Sequence, residues 1–132
     1  MEKTALSLRD LSAKAQQLCA RAEYCADDIR LKIRLWGGTD EQAQQVIDLL
    51  YRQHYLNDRR YASAFARDKV RFNGWGKLKI AAALRAKHLP ETVIDEALNA
   101  IDPKEYQRAL EKAIRQTKNP RSRGFTTDDL DL

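Results

Sequence analysis

Arg60, Arg67 and Arg71 fall on one line of a helical wheel at 100° per residue, with Ala64 between them. Guanidinium groups in such a row, with Lys77 and Lys79 following beyond a break, suit one kind of chemistry: bidentate contact with carboxylates or phosphates. Between Arg59 and Lys87 there are nine Lys/Arg and one acid, Asp68. A face kept only for solubility mixes its signs, and this stretch offers the stripe no acid of its own. Gly74-Trp75-Gly76-Lys77, leading into a helix start, is a second candidate, because first-turn amides attract anions. It lacks the third glycine and preceding strand of a dinucleotide fingerprint, so it reads first as a turn with Trp75 as a packing lid. Trp75 can also stack on a base, but a stacking platform shows several aromatics in a basic groove. His54 and His88 both sit near helix ends and read as core or capping residues. The acid pairs Asp27-Asp28 and Asp128-Asp129 are adjacent, so on a helix they point about 100° apart. No nucleophile, base and orienting group assemble, and a non-enzyme without cofactor or metal is expected.

The elements that must position the cations are legible locally. Asn57 and Asp58 are N-cap residues, able to accept a hydrogen bond from a first-turn amide. In the helix they open, Tyr61, Phe65 and Phe72 lie within about 40° of one another and form an inward aromatic stripe beside the arginine row. Gly74 and Gly76 break that helix, since glycine accepts backbone angles other residues avoid. A second helix starts at about Lys77 with Ile80 and Leu84 turned inward.

Composition narrows the class. At 132 residues the chain is one domain or a short array, with 24 basic residues against 19 acidic ones and a net charge of +5. Asp128, Asp129 and Asp131 sit in the last five residues, and without them the excess is +8. Such an excess attracts phosphate backbones or acidic protein surfaces without choosing between them. No apolar run approaches a membrane span, and MEKTALSLRD lacks a signal peptide's apolar core, so a cytosolic protein without membrane contact is expected. Cys19 and Cys25 are too few for a disulfide scaffold and too far apart for a typical zinc pair; they read as ordinary thiols.

All five glycines and three prolines fall where helices begin or end, and no stretch alternates as a half-buried strand does. The predicted fold is all-α. A first helix runs from about Leu8 to Ala22, burying Leu8, Leu11, Ala15, Leu18, Cys19 and Ala22. A second, about Ala26 to Trp36, turns Ile29, Ile33 and Trp36 to one side and Leu31 and Leu35 to another, which predicts packing on two sides. Gly37-Gly38 stops it. Thr39 caps a third helix with Ala43, Val46, Ile47, Leu50, Tyr51 and His54 inward. After the fourth and fifth helices, Pro90 starts a sixth with Val93, Ile94, Ala97, Leu98 and Ile101. Asp102-Pro103 opens a seventh with Tyr106, Leu110, Ala113 and Ile114 inward. Beyond Lys118 the periodicity is lost, and residues 119–132 read as a mobile tail.

A repeat is visible. Ile29 and Ile33 match Ile80 and Leu84 at an offset of 51, and Val46 and Leu50 match Ile94 and Leu98 at 48; the first and fourth helices align less clearly. The period implies stacked supersecondary units. The expected layout is a three-helix module over 1–54, a basic one over 55–102 and an abbreviated third beginning at 103–118.

The run Leu56-Asn57-Asp58, then Tyr61-Ala62, Phe65, Gly74-Trp75-Gly76 and Lys79-Ile80 with Leu84 resembles the centre of the RecX family, bacterial regulators of the RecA recombinase. The resemblance extends more loosely from about Leu8 to Ile114. It implies tandem three-helix modules in an elongated, curved array, and a monomer that binds the RecA filament on single-stranded DNA, and also double-stranded DNA. It further implies negative regulation of filament growth, ATP hydrolysis and strand exchange, in recombination and the SOS response. Arg60, Arg67, Arg71, Lys77 and Lys79 would then reach acidic side chains or DNA phosphates. The chain departs from the family after Asp102, where only one convincing helix replaces three, although Arg123-Gly124-Phe125 with Thr126 and Asp128 resembles the start of a further one. Either the third module is abbreviated or the chain is truncated. From a different class, a stand-alone helical nucleic-acid-binding module also accommodates the basic middle.

Overall fold

The computed structural model describes residues 6–117. Among these residues seven α-helices follow one another: α1 (Leu8–Arg21), α2 (Ala26–Leu35), α3 (Asp40–Arg52), α4 (Asp58–Asp68), α5 (Lys77–Ala86), α6 (Glu91–Asn99) and α7 (Pro103–Thr117). Among the described residues there is no strand, so the all-α expectation holds. The expected tail and the Arg123-Gly124-Phe125 segment lie outside the described residues. The chain divides into two compact units inside α4, between Tyr61 and Ala62.

In the first unit α1, α2 and α3 pack together over Leu11, Ala15, Ile29, Ile33, Ala43, Val46, Ile47, Leu50 and Leu56. Each helix starts where a side chain can serve its first amides. Ser7 Oγ accepts from the Asp10 N–H at 3.1 Å, and Thr39 Oγ1 accepts from Gln42 N–H while the Gln42 amide oxygen accepts from Thr39 N–H, a reciprocal capping box. Two predicted inward residues of α1 are not inside: Leu8 and Ala22 are exposed, and Ser12 is buried in their stead. At the two ends of a helix the neighbouring elements no longer cover the stripe. Leu31 and Leu35, expected to make α2 pack on two sides, are 57% and 70% exposed. Tyr51 is only partly covered; its hydroxyl donates to Asp58 Oδ1 at 2.7 Å, and burial with that carboxylate pushes its pKa above the ordinary tyrosine value.

The second unit buries Ala62, Ala66 and Val70 of the α4 segment with Ile80, Leu84, Val93, Ile94, Ala97, Ile101 and Ala113. Here α5 packs on α6, while α7 packs on a π-helical turn, Lys69–Asn73, that prolongs α4. That turn corrects the aromatic stripe. Tyr61 is buried and Phe65 half-buried, but Phe72 is 79% exposed. A π-turn closes i→i+5 bonds, so each residue advances less than 100°, and Phe72 falls behind the line that a regular helix would give it. In α7, Ile114 is more exposed than its periodicity predicts, whereas Ala113 is buried.

The repeat appears in the hydrogen bonds themselves. Gly38 N–H donates to Ile33 O and Gly37 N–H to Arg34 O; at an offset of 51, Leu89 N–H donates to Leu84 O and His88 N–H to Arg85 O. Both are Schellman ends, with Gly37 and His88 in the left-handed region at φ +89° and +65°. His54, at φ +66°, ends α3 in the same way, with Tyr55 N–H on Leu50 O. The two histidines are therefore backbone caps with exposed side chains; neither is a core residue. The first and fourth helices, unclear in sequence, align at the same offset: Leu11, Ala15 and Cys19 stand where Ala62, Ala66 and Val70 stand, all of them buried except the half-buried Cys19.

Cys25 is buried and its backbone N–H caps α2 on Asp28 Oδ2 at 3.2 Å; burial, then the Glu23 carboxylate, raise the pKa of the Cys19 thiol. Under native conditions at pH 8, iodoacetamide is expected to label Cys19 slowly and Cys25 only after denaturant is added. Mass spectrometry of the timed reaction checks this, and rapid labelling of Cys25 would contradict its place in the core.

Candidate functional site

Asn57 Oδ1 accepts from Arg60 N–H at 2.9 Å, so Asn57 caps α4 and sets the direction of its arginines. Arg60 lies in the first unit. Its Nε donates to Glu23 Oε2 at 2.5 Å, and its Nη2 donates to the carbonyls of His54 and Tyr55 at 3.2 and 3.1 Å. It thereby ties the α3–α4 connection to the connection between α1 and α2. In the second unit, Arg71 Nε donates to Glu105 Oε2 at 3.0 Å, between the π-turn and α7. The acid-free stripe read from the sequence thus gains two carboxylates, from partners 37 and 34 residues away. Exposed pairs of this kind add little stability, about 0–1 kcal/mol each, but they occupy the guanidinium. Arg67 is different: it is exposed and has no ion pair among the described residues.

The Gly-Trp-Gly corner is a packed turn. Gly74 is left-handed at φ +65°, and Trp75 N–H donates to Lys69 O at 3.1 Å, closing the wide turn. Trp75 is half-buried and meets Phe65 edge to face, with ring centroids 6.3 Å apart. Lys79 Nζ sits 4.5 Å from the indole centroid and Lys69 Nζ 4.8 Å, both within cation–π range. The Lys79 ammonium nitrogen is buried and makes no hydrogen bond. Lys77 turns to Tyr106: its amide donates to Tyr106 Oη at 2.9 Å, and its ammonium lies 5.0 Å from the ring. One first-turn amide of α5 is therefore already occupied. Lys69 and Tyr106 are functional neighbours that sequence reasoning missed. For Lys69 a signal existed, since it stands four residues after Phe65 and six before Trp75; Tyr106 had none.

Of the five cations singled out in the sequence, Arg60, Arg71, Lys77 and Lys79 are engaged within the fold, and Arg67 is the one without a partner among the described residues. Arg67 and Arg71 line a cleft of about 230 Å³ within the second unit, shared with Ala97, Ile101, Asp102 and Glu105. Asp102 Oδ1 accepts from the Lys104 amide at 2.9 Å as the cap of α7. The cleft can accept an anion at its arginine side and apolar atoms against Ala97 and Ile101. No described helix is long and apolar enough to cross a membrane.

The family model of the RecX second three-helix domain matches residues 57–98, which hold the whole Gly-Trp-Gly corner and all five cations. Regulatory protein RecX of Acinetobacter baylyi is 31% identical over 109 residues, covering 81% of this chain and 68% of that protein. Regulatory protein RecX of Clostridium botulinum (strain Alaska E43 / Type E3) is 33% identical over 94 residues, 70% of this chain, although the chain spans only 43% of that longer protein. A crystal structure of regulatory protein RecX superposes with a TM-score of 0.73 over 93% of this chain and 68% of its own, at 20% identity, and so shares the fold of three-helix modules. With a relative 31% identical covered over 68% of its length, and the second-domain model matched at residues 57–98, the chain belongs to the RecX family of regulatory proteins.

Proposed function

We propose that this chain is a non-catalytic negative regulator of the RecA recombinase. It binds the RecA filament on single-stranded DNA and limits filament growth, ATP hydrolysis and strand exchange. Family membership supports the regulatory role, and the observation that carries the binding role is the basic second module, whose Arg67 is exposed and unpaired among the described residues. Arg71 can be released from Glu105 at small expense, because an exposed ion pair contributes little. Arg60, Lys77 and Lys79 are engaged within the fold, so partner contact falls first to Arg67 and Arg71. The proposed mechanism is steric and electrostatic: a folded basic body on the filament blocks entry of the next DNA strand or subunit. The proposed site of action is the cytoplasm.

The test is DNA-dependent ATP hydrolysis by the recombinase of the same source. Substoichiometric amounts of the chain are expected to slow it, and excess single-stranded DNA is expected not to restore the rate. A stand-alone nucleic-acid-binding module would act by competing for free strand, so complete rescue by excess DNA would overturn the regulatory reading.

A further inference from the structure

We infer that the cleft beside Arg67 is a receptor for one acidic side chain of the partner protein, a Glu or Asp whose carboxylate pairs with the Arg67 guanidinium. The inference rests on the reading above that the partner is a recombinase filament, and it separates protein contact from DNA contact at this position. Three observations favour a carboxylate over a phosphate backbone. The first is the charge of the lining. Arg71 is already held by Glu105, and Asp102 stands beside it, so two carboxylates offset two guanidiniums in one small space. A nucleic acid strand carries a charge on every phosphate, so a strand crossing this lining would bring more than one negative charge beside its two carboxylates. A lone carboxylate needs only the free guanidinium, whose planar fork matches it in two parallel hydrogen bonds.

The second is size. At about 230 Å³ the cleft has room for roughly seven or eight waters at ~30 Å³ each, enough for one side chain. The third is the floor. Ala97 and Ile101 are buried apolar residues, and they suit the methylene stem of a Glu side chain rather than a ribose-phosphate. Replacing Arg67 also disturbs the fold less than replacing Arg60 or Arg71, since it makes no ion pair or side-chain hydrogen bond among the described residues.

The experiment uses the full chain with Arg67→Gln and Arg67→Glu variants, each checked for unchanged helix content. Binding is measured by anisotropy against recombinase filaments assembled on oligo-dT, and against the same oligo-dT alone. Arg67→Glu is expected to weaken filament binding by about tenfold or more, with Arg67→Gln between it and wild type, since losing a paired charge at an interface acts this strongly. Affinity for oligo-dT alone is expected to change by less than about threefold. Equal losses on filament and oligo-dT would assign Arg67 to phosphate and overturn the inference; unchanged affinity for both would return it to a solvated face. A wild-type chain that ignores the filament would sink the functional reading instead. The cleft is then judged by NMR of the Arg67 Nε–H with Ac-Ala-Glu-Ala-amide against its Gln analogue: a shift with the Glu peptide only supports the receptor, and no difference between the two overturns it.

Discussion

Leu50→Ala is expected to destabilise the first module by about 2–5 kcal/mol, the range for removing a large buried aliphatic side chain without collapse of the site. Leu50 is fully buried among Leu11, Ile33, Val46 and Ile47, where α1, α2 and α3 meet. Its carbonyl also accepts from Tyr55 N–H at 2.8 Å and Leu56 N–H at 3.2 Å, so the same residue anchors the end of α3. Against a typical total of about 5–15 kcal/mol, such a loss leaves a module near its unfolding midpoint under mild conditions. Each unit carries one tryptophan, Trp36 in the first and Trp75 in the second. Urea unfolding followed by Trp36 fluorescence in a Trp75→Phe background reads the first module alone. The midpoint should fall steeply with an unchanged slope, while Leu35→Ala, on the exposed side of α2, should stay within about 0.5 kcal/mol of wild type. A loss below about 1 kcal/mol for Leu50→Ala would mean that this core is not packed as described.

Gly74→Ala is the second large effect, and two separate causes contribute to it. The residue is left-handed at φ +65°, where an L side chain costs about 1–2 kcal/mol. A Cβ there would also stand 2.9 Å from the Ala113 Cβ of α7, an overlap that only a backbone shift can relieve, typically at about 1–3 kcal/mol. The expected total is about 2–5 kcal/mol. Gly37→Ala provides the control, because Gly37 is also left-handed, at φ +89°, but has nothing within 4 Å of its added Cβ. It should show the backbone part alone. In an Ala113→Gly background the Gly74→Ala penalty should shrink toward that smaller value, a coupling that a double-mutant cycle in urea measures directly. Equal penalties at Gly37 and Gly74 would show that α7 does not press on the π-turn as closely as the geometry requires. A consequence for the site follows: if the turn shifts, Trp75 loses its place under Lys69 and Lys79, and the quenching of its fluorescence should change with the stability.

What could be read from the sequence was whatever depends on near neighbours. Asn57 and Thr39 announced helix starts, because a cap is a hydrogen bond within three residues. Gly37-Gly38 and Gly74 announced ends, and the spacing of Ile29, Ile33, Ile80 and Leu84 disclosed both the buried faces and the repeat. Tertiary structure decided what depends on distant residues or on the space between helices. The α1–α4 correspondence stayed hidden because Leu11 and Ala62 differ in volume while holding equivalent buried positions, so the match lies in packing and not in residue type. Phe72 left the aromatic stripe because one wide turn changed the angular step, which no pattern counted at 100° can register. The arginine row was visible at once, but Glu23 and Glu105 come to it from elsewhere along the chain, and the Lys79 ammonium is drawn onto the Trp75 ring. Charge positions along a helix follow from its period; which charges are paired within the fold follows only from the segments of chain brought against them, and here that left Arg67 of the row without an ion pair among the described residues.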